Sequence, residues 1–423
     1  MSARPTELSV FEGERLVGTI HDTIPLSFTY SDEWLDHAAG HNLLHAIANI
    51  HLQSGRISSP EVEAAFENLL PEGALRDLLS MQTKSSGTFS LLLAVAGDTA
   101  GNLTILPAGE KPEPPTYKPT SWEALAAQIS GSPMPGSESI PSGSRISLSG
   151  AQTKLLISLD TESQPLIPQG TSPSTWILKP NIRAQEQVWH SAANEAILMR
   201  TALHCDLNAA EVFYEATTKA CVVKRFDRIQ HPDGTVQRLR QFDFCQLAGL
   251  GSARKYEIEG GPGAARYAEL IRTYSSTPAA DLKRLCQWIL FNLFTGNNDG
   301  HAKNLSLYAV PGQGLRLTPF YDLMDTRIYP GLSGRFSFRI GGEDAPGKIT
   351  REHIQLMAAE MKLKPSFVLN QAEALSEQIA PAMEKAIAEI GPSLDPSAQT
   401  LAGRLQQHVH DLKDKFASRL HVL

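Results

Sequence analysis

The stretch TGNNDGHAKNLSLY, residues 295–308, decides how the rest of this sequence is interpreted. It follows the apolar segment CQWILFNLF and places Asn, Asp, Gly, His and Lys residues close together before an alternating apolar run. A connection between two buried elements needs only one or two turn-forming residues. The surplus of hydrogen-bonding groups therefore predicts a chemical role for this loop, held rigid by a buried helix before it.

Composition limits the classes of protein to which the chain can belong. Its 423 residues suffice for roughly two to four domains. The formal net charge of −7, without a Lys and Arg cluster, argues against an autonomous nucleic-acid surface, although the chain could still join DNA through a basic partner. The four cysteines form no CxxC pair, so we expect reduced core thiols rather than a zinc ribbon or disulfide framework.

Neither a signal peptide nor a membrane span is visible in the sequence. The N-terminal residues lack an apolar region of signal-peptide length, and no window approaches the ~20 apolar residues that cross a bilayer. We therefore expect a soluble, cytoplasmic protein that does not enter membranes.

Changes in composition predict the domain organisation. Residues 1–108 read as an α+β subdomain, residues 109–144 as a connecting segment rich in Pro, Gly and Ser with a short helix, residues 145–280 as a strand-rich lobe with one long helix, and residues 281–423 as a helical lobe. No internal repeat is visible.

Periodicity predicts the principal elements within these regions. Alternation over residues 7–30 predicts a β-hairpin or meander, and SPEVEAAFENLL predicts a helix that starts at Ser59-Pro60. FSLLLAV and NLTILPA are expected to pair as strands around Gly97 and Gly101. QEQVWHSAANEAILMRTALH predicts a helix, and residues 351–422 predict several more.

Asp299 and Asn304 have the D-x-x-x-x-N spacing of a protein-kinase catalytic loop, in which the Asp accepts a hydroxyl proton and the Asn holds Mg²⁺. Asp322, in TPFYDLMDT, stands where a second Mg²⁺ carboxylate would be needed. The alternative is an ordinary polar loop with a capping Asp.

Three further patterns have both a functional and a structural interpretation. The turn in SRISLSGAQTKLLISL, with Lys154, could cradle phosphate or be an ordinary hairpin. Lys179 could point inward to pair with Glu195, or both could be solvated charges. The histidines at positions 37, 41 and 45 could bind metal, although structural roles are favoured, and GGPGAARY is interpreted as a loop entering a helix.

Taken in order, these strings resemble the HipA-type serine/threonine kinases, the toxins of bacterial toxin–antitoxin pairs. The resemblance includes FENLLPEGALRD, SLSGAQTK, NEAILMRTAL, VVKRFDR, FCQLAGLGSARKYEIEGGPG, NNDGHAKNLSLY and LTPFYDL. It implies an α+β, two-lobed, protein-kinase-like fold with ATP between the lobes, an extra N-terminal subdomain, and an all-helical C-terminal lobe.

The resemblance also implies roles for individual residues. Asp299 corresponds to the general base, Asn304 and Asp322 to the Mg²⁺ ligands, and Lys179, paired with Glu195, to the phosphate-binding lysine. The implied nucleotide-binding set also contains the loop residues Ser149, Gly150, Ala151, Gln152, Thr153 and Lys154, the hinge residues Lys224, Arg225 and Phe226, and, from the other lobe, His301, Ala302, Lys303 and Tyr321.

A loop serine is autophosphorylated in the family, and the added dianion should eject the loop. Ser147 matches that position, but Ser149 stands where a common version of the motif has Ala. The choice among Ser144, Ser147 and Ser149 therefore stays open.

The resemblance implies an ATP- and Mg²⁺-dependent toxin that phosphorylates a serine on a protein such as an aminoacyl-tRNA synthetase. It also implies restraint by a separate helix-turn-helix antitoxin, through which DNA would be contacted only indirectly. Two alternatives remain: a catalytically weak kinase-fold co-repressor that binds an antitoxin on operator DNA, and a small-molecule kinase.

Overall fold

The computed structural model describes residues 5–41, 47–95, 97–131 and 154–422. The strands are β1 Glu7–Glu12, β2 Arg15–His21, β3 Ser27–Tyr30, β4 Arg56–Ser58, β5 Leu103–Pro107, β6 Thr116–Pro119, β7 Leu155–Leu159, β8 Pro165–Gln169, β9 Trp176–Lys179, β10 Val212–Glu215, β11 Ala220–Lys224, β12 Arg228–Gln230, β13 Val236–Arg238, β14 Gln241–Asp243, β15 Ser306–Val310 and β16 Gly314–Leu317.

The helices are α1 Asp32–His41, α2 Pro60–Glu67, α3 Gly73–Thr83, α4 Thr88–Val95, α5 Trp122–Gly131, α6 Ser191–His204, α7 Phe244–Ala248, α8 Ala264–Tyr274, α9 Pro278–Thr295, α10 Arg351–Glu360, α11 Pro365–Ile390 and α12 Pro396–Leu420. Within the described ranges, no helix has the length and apolar character needed to cross a membrane. The chain divides into two compact units, one of residues 1–177 and 227–253, the other of residues 178–226 and 254–423.

The first unit is built on an antiparallel sheet in the order β4-β3-β2-β1-β5. Alternation places Leu8 and Val10 of β1 in the core, and the same core buries Phe28 of β3 against Phe66 of α2, with ring centroids 5.6 Å apart. The predicted opening meander and the α2 helix are confirmed.

The predicted strand FSLLLAV is wrong: it lies in the helix α4, and β5 pairs with β1 instead, with Val10 opposite Ile105. This segment is an apolar run without alternation, and such a short run does not distinguish a buried strand from a buried helix.

The second unit begins with residues that position one lysine and one glutamate. The hairpin of β10 and β11 pairs Val212 with Val223, and α6 packs on both strands. The predicted helix over QEQVWHSAANEAILMRTALH is shorter than expected, because α6 begins only at Ser191, after His190 in the left-handed region at φ 52°. Asn181 Oδ1 accepts a hydrogen bond from Ala192 N at 3.0 Å and so satisfies one of the first N–H groups of the helix, which have no partner within it.

Helix α9 is the buried element that precedes the loop quoted above. Pro278 occupies its first turn, where a missing N–H costs nothing, and Gly296 ends it at φ 77°. Trp288, Phe291 and Phe294 are fully buried. The chain after Arg351 is helical, as predicted, and α11 packs against α6, α9, α10 and α12. The loop therefore starts from a helix that is fixed on most sides.

Candidate active site

Most of the polar side chains that follow α9 are buried and hold the loop itself. Asn297 Nδ2 donates to Asn292 Oδ1 at 3.0 Å, and Asn297 Oδ1 accepts from Asp299 N at 3.1 Å. Asn298 N donates to Thr326 Oγ1 at 2.9 Å. The polar surplus in the sequence is thus largely a hydrogen-bonded scaffold.

Asp299 is the exposed side chain of residues 297–304, whose other members are buried. Its backbone carbonyl accepts a hydrogen bond from Asn304 Nδ2 at 3.0 Å, so the two ends of the D-x-x-x-x-N spacing are joined directly. Its carboxylate Oδ1 accepts from the Tyr256 hydroxyl at 2.7 Å. A buried loop therefore presents one carboxylate outward.

Lys179, at the end of β9, lies between two carboxylates. Its Nζ is 2.5 Å from Glu195 Oε1, on α6, and 2.6 Å from Asp322 Oδ1. The Lys179 and Glu195 side chains are 5% and 3% exposed, which excludes the alternative of two solvated charges. Burial alone would lower the pKa of Lys179, but Asp322 and Glu195 outweigh it and raise that pKa above its ordinary value. The ammonium therefore stays charged.

The backbone at Asp322 adopts a conformation that few residues other than glycine accept. Its φ is 60°, in the left-handed region, where a non-glycine residue is uncommon and costs conformational energy. The adjacent Tyr321 hydroxyl lies 2.7 Å from the Lys303 carbonyl and 2.8 Å from Ser306 Oγ. These contacts fix the Asp322 loop next to the loop that holds Asn304.

Asp325 anchors the same segment from the inside. Its buried carboxylate accepts from the N–H groups of Arg327 and Ile328 and lies 2.6 Å from His408 Nδ1 on α12. Asn194 of α6 exchanges two hydrogen bonds with the Asp325 backbone, both 2.9 Å long. Burial raises the pKa of Asp325, while His408 opposes that shift.

The predicted hinge residues have different environments. Lys224 is exposed and pairs with Glu211 at 2.8 Å, whereas Arg225 is buried. The Phe226 ring packs against Tyr321 and Tyr308, with centroids 5.4 and 5.9 Å apart. The hinge and the Asp322 loop thus share an aromatic cluster.

The remaining predicted residues divide into described and undescribed ones. His301, Ala302 and Lys303 are buried in the loop, and Ala302 N donates to the Lys255 carbonyl at 3.2 Å. Lys154 lies half-buried before β7 in the first unit. The rest of the predicted nucleotide loop and the candidate phosphorylated serines, namely Ser144, Ser147, Ser149, Gly150, Ala151, Gln152 and Thr153, lie outside the described residues.

The histidine hypothesis gains no support from the structure. His37 and His41 lie on α1, His37 packs at 5.6 Å from Trp34, and His45 is outside the described ranges. In the part of the chain that the structure describes, no group of three His, Cys, Asp or Glu side chains could hold a metal ion. The cysteines are buried and unbridged, as predicted.

Two protein-family models match separate regions of the chain. Residues 146–387 match the model of the HipA-like C-terminal domain, and residues 8–106 match that of the HipA N-terminal domain. The chain belongs to the HipA family. Its similarity to relatives extends over most of its length, so the family assignment does not rest on one motif.

Two curated relatives show the enzyme class. A protein of Sinorhizobium fredii named as the putative kinase Y4mE is 32% identical and covers 89% of this chain and 92% of its own length. The serine/threonine-protein kinase toxin HipA of Shewanella oneidensis is 29% identical and covers 82% of each chain. This HipA-family chain is accordingly a serine/threonine protein kinase, as the resemblance predicted.

A solved structure confirms the predicted fold class. HipA in the Shewanella oneidensis complex of HipA, HipB and operator DNA superposes with a TM-score of 0.83 at 25% identity, over 98% of each chain. This HipA-family chain therefore has the mixed helix and sheet, protein-kinase-like fold expected from its sequence.

The structure adds two residues that sequence reasoning missed. Tyr256, which contacts Asp299, lies in the KYEIEGGPG segment that contributed to the family resemblance but received no role. Asp325 lies in the TPFYDLMDT stretch, in which the sequence pattern predicts a role only for Asp322. The Gly residues that follow Tyr256 were the available signal for this segment, because clustered glycines indicate a backbone that other groups approach closely.

Asn304 and Asp322 carry side-chain oxygen atoms of the kind that coordinate divalent cations. Because Asn304 Nδ2 donates to the Asp299 carbonyl, the amide oxygen is the Asn304 atom directed away from that bond. Mg²⁺ prefers oxygen ligands and is commonly held by one or two carboxylates together with substrate phosphates. The chemistry of these two side chains therefore suits such an ion, although Asp322 Oδ1 also accepts a hydrogen bond from Lys179 Nζ.

Replacing Gly300 by Ala should displace the loop. An added Cβ would lie 2.9 Å from Asn292 Nδ2 and 3.0 Å from the Trp288 ring, and both neighbours are buried on α9. We expect phosphoryl transfer to fall by about 10²-fold, because small displacements of catalytic groups have effects of this size. The measurement is the initial rate of ³²P transfer from labelled ATP.

Gly334 is the matched control, because a Cβ added there meets no atom within 4 Å. Gly334→Ala should retain the wild-type rate. An active Gly300→Ala enzyme would show that the loop tolerates a shift at this position.

Proposed function

We propose that this chain transfers the γ-phosphate of ATP to a serine or threonine hydroxyl of a protein and thereby acts as a growth-inhibiting toxin in the cytoplasm. The observation that carries the proposal is the buried ammonium of Lys179 between Glu195 and Asp322. A purely structural protein gains little from two carboxylates around one buried lysine, since buried ion pairs often stabilise no better than apolar residues.

Asp299 is proposed as the general base. It is the exposed carboxylate of an otherwise buried loop, so a substrate hydroxyl can approach it. The hydroxyl proton passes to Asp299 while the hydroxyl oxygen bonds to the γ-phosphorus and the bond from that phosphorus to the ADP oxygen breaks. Such transfer depends mainly on positioning and charge stabilisation.

Asn304 and Asp322 would hold Mg²⁺, which supplies charge neutralisation on the phosphate oxygens when bound. The Lys179 ammonium would bind a phosphate oxygen, with Glu195 keeping it oriented. Residues 149–154 would cradle the phosphates, Lys224, Arg225 and Phe226 would meet adenine along the hinge, and His301, Ala302, Lys303 and Tyr321 would line the site.

Autophosphorylation of a loop serine is proposed as the off-switch. Ser147 is the first candidate and Ser149 the alternative. A phosphoserine carries close to two negative charges and repels nucleotide phosphates, so the modified loop could not cover ATP. Peptide mapping by mass spectrometry after incubation with ATP and Mg²⁺ identifies the serine.

The proposed partners are a protein substrate, which an aminoacyl-tRNA synthetase would fit, and a small helix-turn-helix antitoxin. The complex of the Shewanella oneidensis neighbour with HipB and operator DNA supports an antitoxin partner for this chain. DNA would then be contacted only indirectly, through that antitoxin. The net charge of −7 also favours a basic partner for DNA binding. The same complex favours a second role as co-repressor, which operator-binding assays with Asp299→Asn protein would separate from catalysis.

The kinase proposal is tested by incubating the purified chain with γ-³²P-ATP, Mg²⁺ and an extract of its own host. We expect a phosphorylated protein band and a gain of one phosphate in the intact mass of the chain. If ATP binds normally and neither the chain nor any extract protein is labelled, the proposal is wrong. Labelling of small molecules alone would instead indicate a small-molecule kinase.

A further inference from the structure

The segment Arg254–Gly263, here called the tyrosine segment, lies in the second unit. It contacts residues 297–304, here called the catalytic loop. Among the described residues, its Tyr256 hydroxyl is the hydrogen-bond donor that the structure shows for the Asp299 carboxylate, at 2.7 Å from Oδ1. An ionised carboxylate only accepts hydrogen bonds, so the tyrosine must donate. One oxygen of the proposed base is therefore oriented by a tyrosine from a distant part of the chain.

The Tyr256 ring is itself held by one contact with the loop of Asp299 and one with its own neighbour Lys255. It meets His301 edge-on, with centroids 5.1 Å apart and planes at 84°, and Lys255 Nζ lies 5.4 Å from its centre. Ala302 N donates to the Lys255 carbonyl at 3.2 Å. The tyrosine and the catalytic loop are thus joined by backbone, ring and hydroxyl contacts.

The tyrosine segment has little freedom to swing away. Tyr256 O accepts from Gly261 N at 2.9 Å, and a Cβ on Gly261 would lie 2.2 Å from the Arg254 carbonyl. Glu257 N donates a hydrogen bond to the Ser337 carbonyl at 3.1 Å. The Glu257 carboxylate accepts one from Arg339 N at 2.5 Å. A segment tied at several points orients its neighbour, whereas a movable gate would need fewer fixed contacts.

We propose that Tyr256 is a positioning residue that holds the Asp299 carboxylate in the orientation from which its other oxygen accepts the proton of the substrate hydroxyl. A carboxylate offers about four lone-pair sites, so a bond at Oδ1 leaves acceptor sites for the substrate. An exposed aspartate without this bond would sample several rotamers, and fewer of them would face the nucleophile. The inference rests on the proposed role of Asp299 as base.

The test uses the 423-residue chain with Tyr256→Phe, which keeps the ring contacts and removes the hydroxyl. We expect kcat for labelling of the principal extract band to fall roughly ten- to a hundredfold, the range for losing a hydrogen bond to a charged group. The KM for ATP should stay within about twofold, because no nucleotide contact is removed. Tyr274→Phe, on α8 of the same unit, should behave as wild type.

A double variant distinguishes positioning from a general structural role. If Tyr256 acts through Asp299, adding Tyr256→Phe to Asp299→Asn should not lower the residual rate further. An equal fall in both backgrounds, or a Tyr256→Phe enzyme as fast as or faster than wild type, overturns the positioning role while leaving the kinase proposal intact. An Asp299→Asn enzyme with full activity refutes the base assignment and the positioning role with it.

Discussion

Asp299→Asn should slow phosphoryl transfer to a small residual rate while leaving ATP binding intact. The substitution keeps the size of the side chain and still offers an oxygen to the Tyr256 hydroxyl, but an amide cannot take the substrate proton. We expect the labelling rate to fall by roughly two to four powers of ten, the usual contribution of a general base. Initial rates with labelled ATP and calorimetric titration with ATP measure the two quantities separately.

The matched control is Asp206→Asn, at another exposed aspartate of the same unit. The Asp206 backbone lies in the left-handed region, which asparagine tolerates. It should have wild-type activity and stability. Substantial transfer by the Asp299→Asn enzyme would assign the proton acceptor to another group.

Lys179→Met should damage both activity and stability. The methionine preserves much of the volume, but Glu195 is 3% exposed and would lose the ammonium that neutralises it. Breaking a buried ion pair by removing one partner typically costs about 3–5 kcal/mol of unfolding free energy. Denaturant titration of the wild type and the variant measures the loss, and ATP titration measures the expected weakening of phosphate binding.

A second substitution separates these two effects. Lys179→Met combined with Glu195→Gln removes both charges, so much of the stability should return while transfer remains absent. Lys219→Met breaks an exposed pair with Asp395, whose side chains are 57% and 28% exposed, and should cost less than about 1 kcal/mol. If Lys179→Met is as stable as Lys219→Met, the buried pair contributes nothing to folding.

Much of the fold follows from periodicity. The errors of the prediction, at α4 and at the start of α6, have a physical cause. The alternating strands of the opening meander and the long amphipathic helices after Arg351 were predictable, because one face of each is polar. FSLLLAV lies in α4, where Phe89, Ser90, Leu91 and Leu92 are buried and Leu93 and Ala94 are half-buried, so no exposed polar face marked a helical period. The start of α6 was placed too early, because a left-handed His190 and the cap from Asn181 leave no strong pattern in the sequence.

For the candidate site, the sequence predicted local relations better than distant ones. The spacing of Asp299 and Asn304 indicated one loop, and the structure joins them by a hydrogen bond. The meeting of Lys179 with Glu195 required an analogy with kinases, and its roles remain proposals. The contact of Tyr256 with Asp299 spans 43 residues, and no spacing rule predicts a hydroxyl from such a distance.

The Asp325 carboxylate has a consequence for the order in which the enzyme is made. Its oxygens contact both the backbone N–H groups just after the Asp322 loop and His408 on α12. The Asp325 backbone is hydrogen-bonded to Asn194. His408 is synthesised long after the residues of the catalytic loop. The network therefore cannot close on a growing chain until α12 has left the ribosome, so the nascent protein stays without the complete geometry of the proposed active site through most of its own translation.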